Sequence, residues 1–300
     1  MTIDAHPELP EFDYIRPATL VEASQFLKEH AGESRPLLGG TDIFVRMRDG
    51  IWHDKYLVDV KKLDGTDEIH FDPTAGLTIG AGVNMNRVMA DKAVQQYYLV
   101  LAEACRSVAS YQLRTRATIV GNICNASPAG DTIGASLLYN GVLSVHGVQG
   151  LRIVPLAGFF LGPGETVLQA GDIVTAIHFP PPPSGCAGTY LKLGRNNWSD
   201  LSIVGVTALG YPDPTTSTGF RLRVALASVA PRPIEVETLR DYLSAHQITR
   251  DAFRQAAILA QQASSPIDDM RGSARYRRLM VGQLTEKALV LTWKRIDGRS

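Results

Sequence analysis

Four consecutive prolines, Pro180 to Pro183, stand past the middle of this 300-residue chain. Proline has no N–H to give to a sheet ladder or a helix turn, and a run of it favours an extended spacer. No helix or central strand can cross this point. The stretch PPPPSGCAG, residues 180–188, is therefore read as a linker between one unit over residues 1–179 and another over residues 189–300. Each is long enough to bury a core of its own.

The first unit mixes helix and strand. Thr19 followed three residues later by Glu22 is a capping box, and Leu20, Ala23 and Leu27 then share one helical face, so a helix is expected over about 19–30. RPLLGGTDIFVRMRDG reads as a buried strand, a Gly-Gly turn and a second periodic segment; YLVDV and GLTIGAGV read as further strands. VMADKAVQQYYLVLAEACRSVAS has helical spacing in two pieces, GASLLYNGVLSVHG returns to helix and strand, and DIVTAIHFP closes the unit as a strand. After the linker come three strands, in TYLKLG, LSIVGVTALGY and FRLRVALASVA, and three helices over 234–245, 251–263 and 274–294. Strands followed by helices indicate a separate α+β domain.

Two glycine-bearing stretches stand out. In PLLGGTDIF, Gly39 and Gly40 permit backbone angles or close approaches that a side chain forbids, and successive amides in such a turn can cradle an anion; a plain tight turn reads equally from the residues. In ATIVGNICNASPAGD, Thr118, Gly121, Asn122, Ser127 and Asp131 offer hydroxyls, amides and a carboxylate to a polar ligand, while Asp131 is also suited to cap a helix beginning near Thr132. Lys192 is either an anion or ring contact or a solvated strand lysine, and the basic run RGSARYRRLM, residues 271–280, reads as a wet helix face.

Other chemistry is disfavoured. There is no G-x-x-x-x-G-K-[ST], no G-x-G-x-x-G, no G-x-S-x-G and no H-E-x-x-H. The three cysteines, Cys105, Cys124 and Cys186, form no C-x-x-C pair, so neither a disulfide framework nor a zinc or iron–sulfur site is signalled, and no metal site or catalytic side chain is assigned. A formal net charge of zero argues against a general nucleic-acid binder. No apolar run is long enough for membrane insertion and no export signal is legible, so a cytoplasmic location is expected.

In this order, FDYIRPATLVEA, LLGGTDIFVRMRDG, LTIGAGV, RTRATIVGNICNASPAGD, DIVTAIHFP, YLKLGRNNWSDLSIVGV and RGSARYRRLMVGQL resemble the FAD-binding medium subunit of molybdenum hydroxylases. That family includes the medium subunits of carbon monoxide dehydrogenase and nicotinate dehydrogenase and the flavin domain of xanthine dehydrogenase. The resemblance runs nearly end to end. It implies an α+β protein with a two-subdomain FAD-binding fold of the vanillyl-alcohol oxidase type, split near residue 60, followed by a C-terminal domain with a small antiparallel sheet and helices. It further implies that Pro36, Leu37, Leu38, Gly39, Gly40, Thr41, Asp42 and Ile43 wrap the FAD diphosphate. Thr118, Ile119, Val120, Gly121 and Asn122 would supply the second half of the cradle, Asp131 would bind a polar part of the cofactor, and Val174 and Lys192 would lie near its adenine or isoalloxazine portion. Where the family reads T-I-G-G-N, this chain has Val120 at the first glycine.

The implied role is an electron-transfer flavoprotein subunit, an oxidoreductase component, that passes electrons from a partner's 2Fe-2S clusters to an external acceptor. Its implied partners are a molybdopterin-binding large subunit and an iron–sulfur small subunit, as a dimer of heterotrimers. The rival readings are a self-sufficient flavin oxidase or reductase and a flavin-free interaction subunit. On the cradle reading, replacing Gly121 by leucine, or Gly39 and Gly40 together by valine, should weaken FAD binding more than folding.

Overall fold

The structure, a computed structural model, describes residues 8–196 and 200–298. Its first unit runs β1 (Asp13–Ile15), α1 (Leu20–Glu29), β2 (Ser34–Leu37), α2 (Ile43–Arg48) and β3 (Tyr56–Asp59). The Thr19 cap forms, its Oγ1 accepting from the Glu22 amide at 3.1 Å, while Glu22 Oε2 reaches one residue beyond the usual capping-box partner and accepts from the Ala18 amide at 2.7 Å. The three strands make a parallel sheet in the order β1-β3-β2, so α1 crosses from one edge strand to the other and α2 leads back to the central β3.

The second unit begins with β4 (Ile69–Asp72) and β5 (Gly76–Gly80) and then inserts six short helices: α3 (Met85–Ala90), α4 (Lys92–Tyr97), α5 (Leu99–Ser107), α6 (Tyr111–Arg114), α7 (Ile119–Cys124) and α8 (Ile133–Leu138). It ends with β6 (Val142–Gly147), β7 (Gly150–Pro155), β8 (Phe160–Gly162), β9 (Glu165–Thr166) and β10 (Ile173–Phe179). Five strands form an antiparallel sheet in the order β4-β5-β10-β6-β7, with the last strand in sequence at its centre. The expected two helical pieces over residues 88–110 are interrupted at Asp91, whose carboxylate caps α4 by accepting from the Ala93 and Val94 amides. The glycine-rich stretch itself contains a helix, α7, which its composition hid.

The third unit comprises β11 (Ala187–Leu193), β12 (Val204–Pro212), β13 (Phe220–Ala227), β14 (Ile234–Glu235), α9 (Glu237–Ala245), α10 (Arg250–Ala263) and α11 (Ala274–Asp297). The proline run leads into pairing at Ala187 and Gly188, opposite Gly210 and Leu209. Ile234 and Glu235, expected as helix, pair with β13 instead. This antiparallel sheet is covered on both sides: α9 and α11 pack against it from its own unit, and α5 and α8 from the preceding one. Hence β12 is buried along Val204–Gly210, as a strand between two apolar layers must be. Gly134 of α8 shows how close the approach is, since a Cβ there would lie 2.4 Å from Thr207 Oγ1.

The basic run is not a wet face throughout. Arg277 is 2% exposed; its guanidinium donates to Ser228 O at 3.1 Å and pairs with Asp269, because α11 presents this position to the sheet end rather than to water. Among the described residues, no helix is long and apolar enough to cross a membrane.

Candidate functional site: a cleft between the first two units

A cleft of about 520 Å³ separates the first unit from the second, within the usual range of small-molecule sites. One wall is the turn between β2 and α2. The other comprises the start of α7, the loop from Asn125 to Asp131 and the chain entering β10, while Asp200 and Leu201 of the third unit close one part of the rim.

The first wall follows from its glycines. Gly40 has φ +72°, a conformation costly for side-chain-bearing residues, and a Cβ on it would also meet the Phe44 ring at 2.7 Å. A Cβ on Gly39 would lie 2.3 Å from the carbonyl oxygen of Arg116, so the bare backbone of Gly39 packs directly on the chain leading into α7. Among the hydrogen bonds of the described residues, the amides of Gly39, Gly40, Thr41 and Asp42 donate to no protein acceptor. Consecutive free donors lining a cleft match what an anionic ligand lacks.

The second wall spends its donors differently. Thr118 caps α7, its Oγ1 accepting from the Gly121 amide at 2.9 Å. Asn122 Oδ1 accepts from Thr132 Oγ1 at 2.7 Å and from the Thr132 amide at 3.4 Å, so the cap that Asp131 could have provided for α8 is not made by Asp131. Asp131 is 7% exposed; its Oδ1 accepts from the Tyr190 hydroxyl at 2.6 Å and its Oδ2 from Lys192 Nζ at 2.8 Å. Burial raises its pKa, and the Lys192 charge and both hydrogen bonds oppose that rise. Lys192 is not a solvated lysine: its side chain is 14% exposed and its ammonium also donates to Ser107 O at 3.0 Å.

Most of the residues expected from sequence converge. Pro36, Leu38, Gly39, Gly40, Thr41, Asp42 and Ile43 line the cleft, as do Thr118, Val120, Gly121, Asn122, Asp131 and Val174. Leu37 and Ile119 are not among the lining residues: their side chains are buried in hydrophobic clusters. Lys192 stands behind Asp131 and reaches the cleft through it. Val120 at the family's glycine position is 1% exposed, with its side chain in the core, so the helix start accommodates it. Trp52, Asn125 and Leu201 also line the cleft without a sequence signal of their own. Tyr190 did carry one: two residues before Lys192 on a strand, it lies on the same sheet face.

The electrostatics fit a diphosphate held by backbone rather than by cations. Among the described residues Arg35 is the one basic residue of the lining, and it is paired with Asp54 at 2.8 Å and stacked over Trp52. Three lining carboxylates are matched by cations, Asp131 by Lys192, Asp172 by Arg152 and Asp200 by Arg195. Asn125 donates to Asp42 Oδ1 at 3.1 Å, and its own Oδ1 is buried without a partner. Free amides, an orphaned carbonyl and ion-paired acids suit a ligand that combines a diphosphate with hydroxyl groups.

Residues 10–182 match the family described as the FAD binding domain in molybdopterin dehydrogenase, and residues 189–291 match the CO dehydrogenase flavoprotein C-terminal domain. The chain is 29% identical over 286 residues to the carbon monoxide dehydrogenase medium chain of Hydrogenophaga pseudoflava, covering 95% of this chain and 98% of that one. It is 28% identical over 277 residues to a putative xanthine dehydrogenase FAD-binding subunit of Escherichia coli strain K12, covering 92% and 94%. A solved structure of the Hydrogenophaga pseudoflava carbon monoxide dehydrogenase, described as lacking the Mo-pyranopterin moiety of the molybdenum cofactor, superimposes with a TM-score of 0.91 at 29% identity, over 96% of this chain and 99% of that one.

Proposed function

The chain belongs to the family of FAD-binding domains of molybdopterin dehydrogenases, and from that premise we propose that it is the FAD-holding medium subunit of a molybdenum hydroxylase. Its partners are a molybdopterin-binding large chain and a small chain with 2Fe-2S clusters, assembled as a dimer of heterotrimers in the cytoplasm. The observation that carries this reading is the row of acceptor-free amides from Gly39 to Asp42 facing a cleft in which, among the described residues, the basic side chain of the lining is already paired.

The chemistry FAD supplies when bound is uptake of electrons from the partner's clusters and their release to an external acceptor. The chain's own residues bind and orient. The turn from Leu38 to Ile43 takes the diphosphate on backbone N–H groups. Thr118 to Asn122 hold the opposite wall, with Thr118 fixing the first turn of α7 and Asn122 that of α8. Asp131, aimed by Lys192, accepts from a hydroxyl of the cofactor, and Val174 gives an apolar surface. No side chain is asked to act as general acid or base.

The test is a titration of flavin-stripped chain with FAD, together with metal analysis. One FAD per chain and no stoichiometric iron or molybdenum are expected. In the assembled complex, removing FAD should leave substrate able to reduce the iron–sulfur centres while turnover to the acceptor collapses. Oxidation of a substrate by the isolated chain would instead favour a self-sufficient flavin enzyme.

A further inference from the structure

Asp131 belongs to the second unit, yet both groups that hold its carboxylate come from β11 of the third. The Tyr190 ring is 8% exposed and packs in the same apolar cluster as Leu143 and Ile177, a task phenylalanine would perform equally. Its hydroxyl does something a core ring does not need: it donates at 2.6 Å to a carboxylate that lines the cleft. The strand is held in place for this. Glu103 of α5 accepts from the Tyr190 amide at 3.1 Å and from Thr189 Oγ1 at 3.3 Å, and is itself paired with Arg295 of α11 at 2.7 Å.

We propose that Tyr190 is a positioning residue for the cofactor: with Lys192 it locks the Asp131 carboxylate, ionised and fixed in direction, so that it accepts a hydrogen bond from a sugar-type hydroxyl of FAD. The proposal rests on the reading of the cleft as the FAD site. The groups facing Asp131 are Tyr190 and Lys192 from β11 and the buried thiol of Cys105 from α5, whose pKa burial pushes up to about 12, so that it stays neutral. Tyr190 and Lys192 are thus the two donors that keep the carboxylate charged against the cost of burial. Protonated Asp131 loses acceptor capacity, so FAD affinity falls on acidification through its pKa. Removing the Tyr190 donor lets that pKa rise further, and the loss begins at higher pH.

The experiment is FAD titration of the flavin-stripped full chain by fluorescence across a pH series, with ADP and FMN as competing probes. Asp131→Asn should weaken FAD and flatten the acid limb. Tyr190→Phe, folded by its thermal melt, should weaken FAD by about threefold to tenfold at neutral pH and move the acid limb to higher pH. A parallel loss for ADP places the hydroxyl on the adenosine ribose; a parallel loss for FMN places it on the ribityl chain. Site-specific 3-fluorotyrosine at position 190, nearly isosteric and a stronger donor, should move the limb to lower pH and serves if Tyr190→Phe does not fold. Wild-type affinity and pH profile in Tyr190→Phe, or no movement with fluorotyrosine, alongside weakened binding in Asp131→Asn, overturns the proposal. Unchanged affinity in Asp131→Asn removes the carboxylate from the site and the proposal with it. A wild-type chain that takes no FAD sinks the reading of the cleft itself.

Discussion

The two walls of the cleft are both rich in glycine and small polar residues, and they use them for different ends. At Gly39 and Gly40 the missing side chains serve the protein: one lets the turn lie on the Arg116 carbonyl, the other supplies a positive φ against Phe44. The ligand's share of that wall is its unspent amides. At Gly121 the amide is already committed to Thr118, and a Cβ would lie 2.9 Å from the Thr118 hydroxyl and 4.0 Å from Leu38 Cβ across the cleft. A glycine in a cradle therefore does not by itself mark the point where backbone meets ligand; the hydrogen-bond ledger does.

Gly39→Val bears hardest on this distinction. Forcing a side chain into backbone only 2.3 Å away should cost on the order of 4 kcal/mol or more of stability. It should appear as a large drop in melting temperature of the flavin-free chain, reversing for Gly39 the expectation from sequence that valine at Gly39 and Gly40 together acts mainly on FAD. A variant that melts like the wild type but has lost FAD would restore that expectation and break the comparison.

Lys192→Met tests the second wall's charge. It leaves Asp131 buried without its cation, at a cost of about 3 kcal/mol. The pH dependence has a definite sign. The folded pKa of Asp131 lies above its ordinary value and rises further without Lys192, so stability is present at low pH and is lost as pH rises through that folded pKa. Chemical denaturation across pH should find the penalty smallest in acid; a penalty that grows on acidification would contradict the assignment of the pair.

Thr118→Val removes the cap of α7 and should cost about 1 kcal/mol in the same denaturation measurement, less than either change above. Gly121→Ala should move stability least, within about 1 kcal/mol, because better helix propensity offsets displacement of the cap hydroxyl. Its effect belongs on the ligand, weakening FAD by roughly tenfold in an equilibrium titration. If Gly121→Ala lowers the melting point as much as Gly39→Val, the two walls are alike after all.

Much of this was legible because its signals are short in range. The Thr19 and Glu22 cap and the apolar runs of β10 and β12 are patterns within a few neighbours, and each produced its element nearly where expected. The glycine-rich stretch concealed α7 because glycine, asparagine and cysteine are weak helix formers; the helix stands on its Thr118 cap and on burial of Ile119, Val120 and Ile123. Arg277 was misread for a related reason. A basic residue within a basic run carries no local sign that a distant Ser228 carbonyl and Asp269 await it.

By itself the sequence determined the mixed helix and strand composition, the family, and the two segments that line the cleft. Tertiary structure alone decided which amides remain free, that Gly39 is reserved for the Arg116 carbonyl, and that Asp131 is held by Tyr190 and Lys192, 59 and 61 residues away. Hydrophobic periodicity and capping are set by neighbours three or four positions apart. Which donor meets which acceptor depends on how separate layers pack, and that is fixed only when the third unit's sheet closes against α5 and α8 of the second.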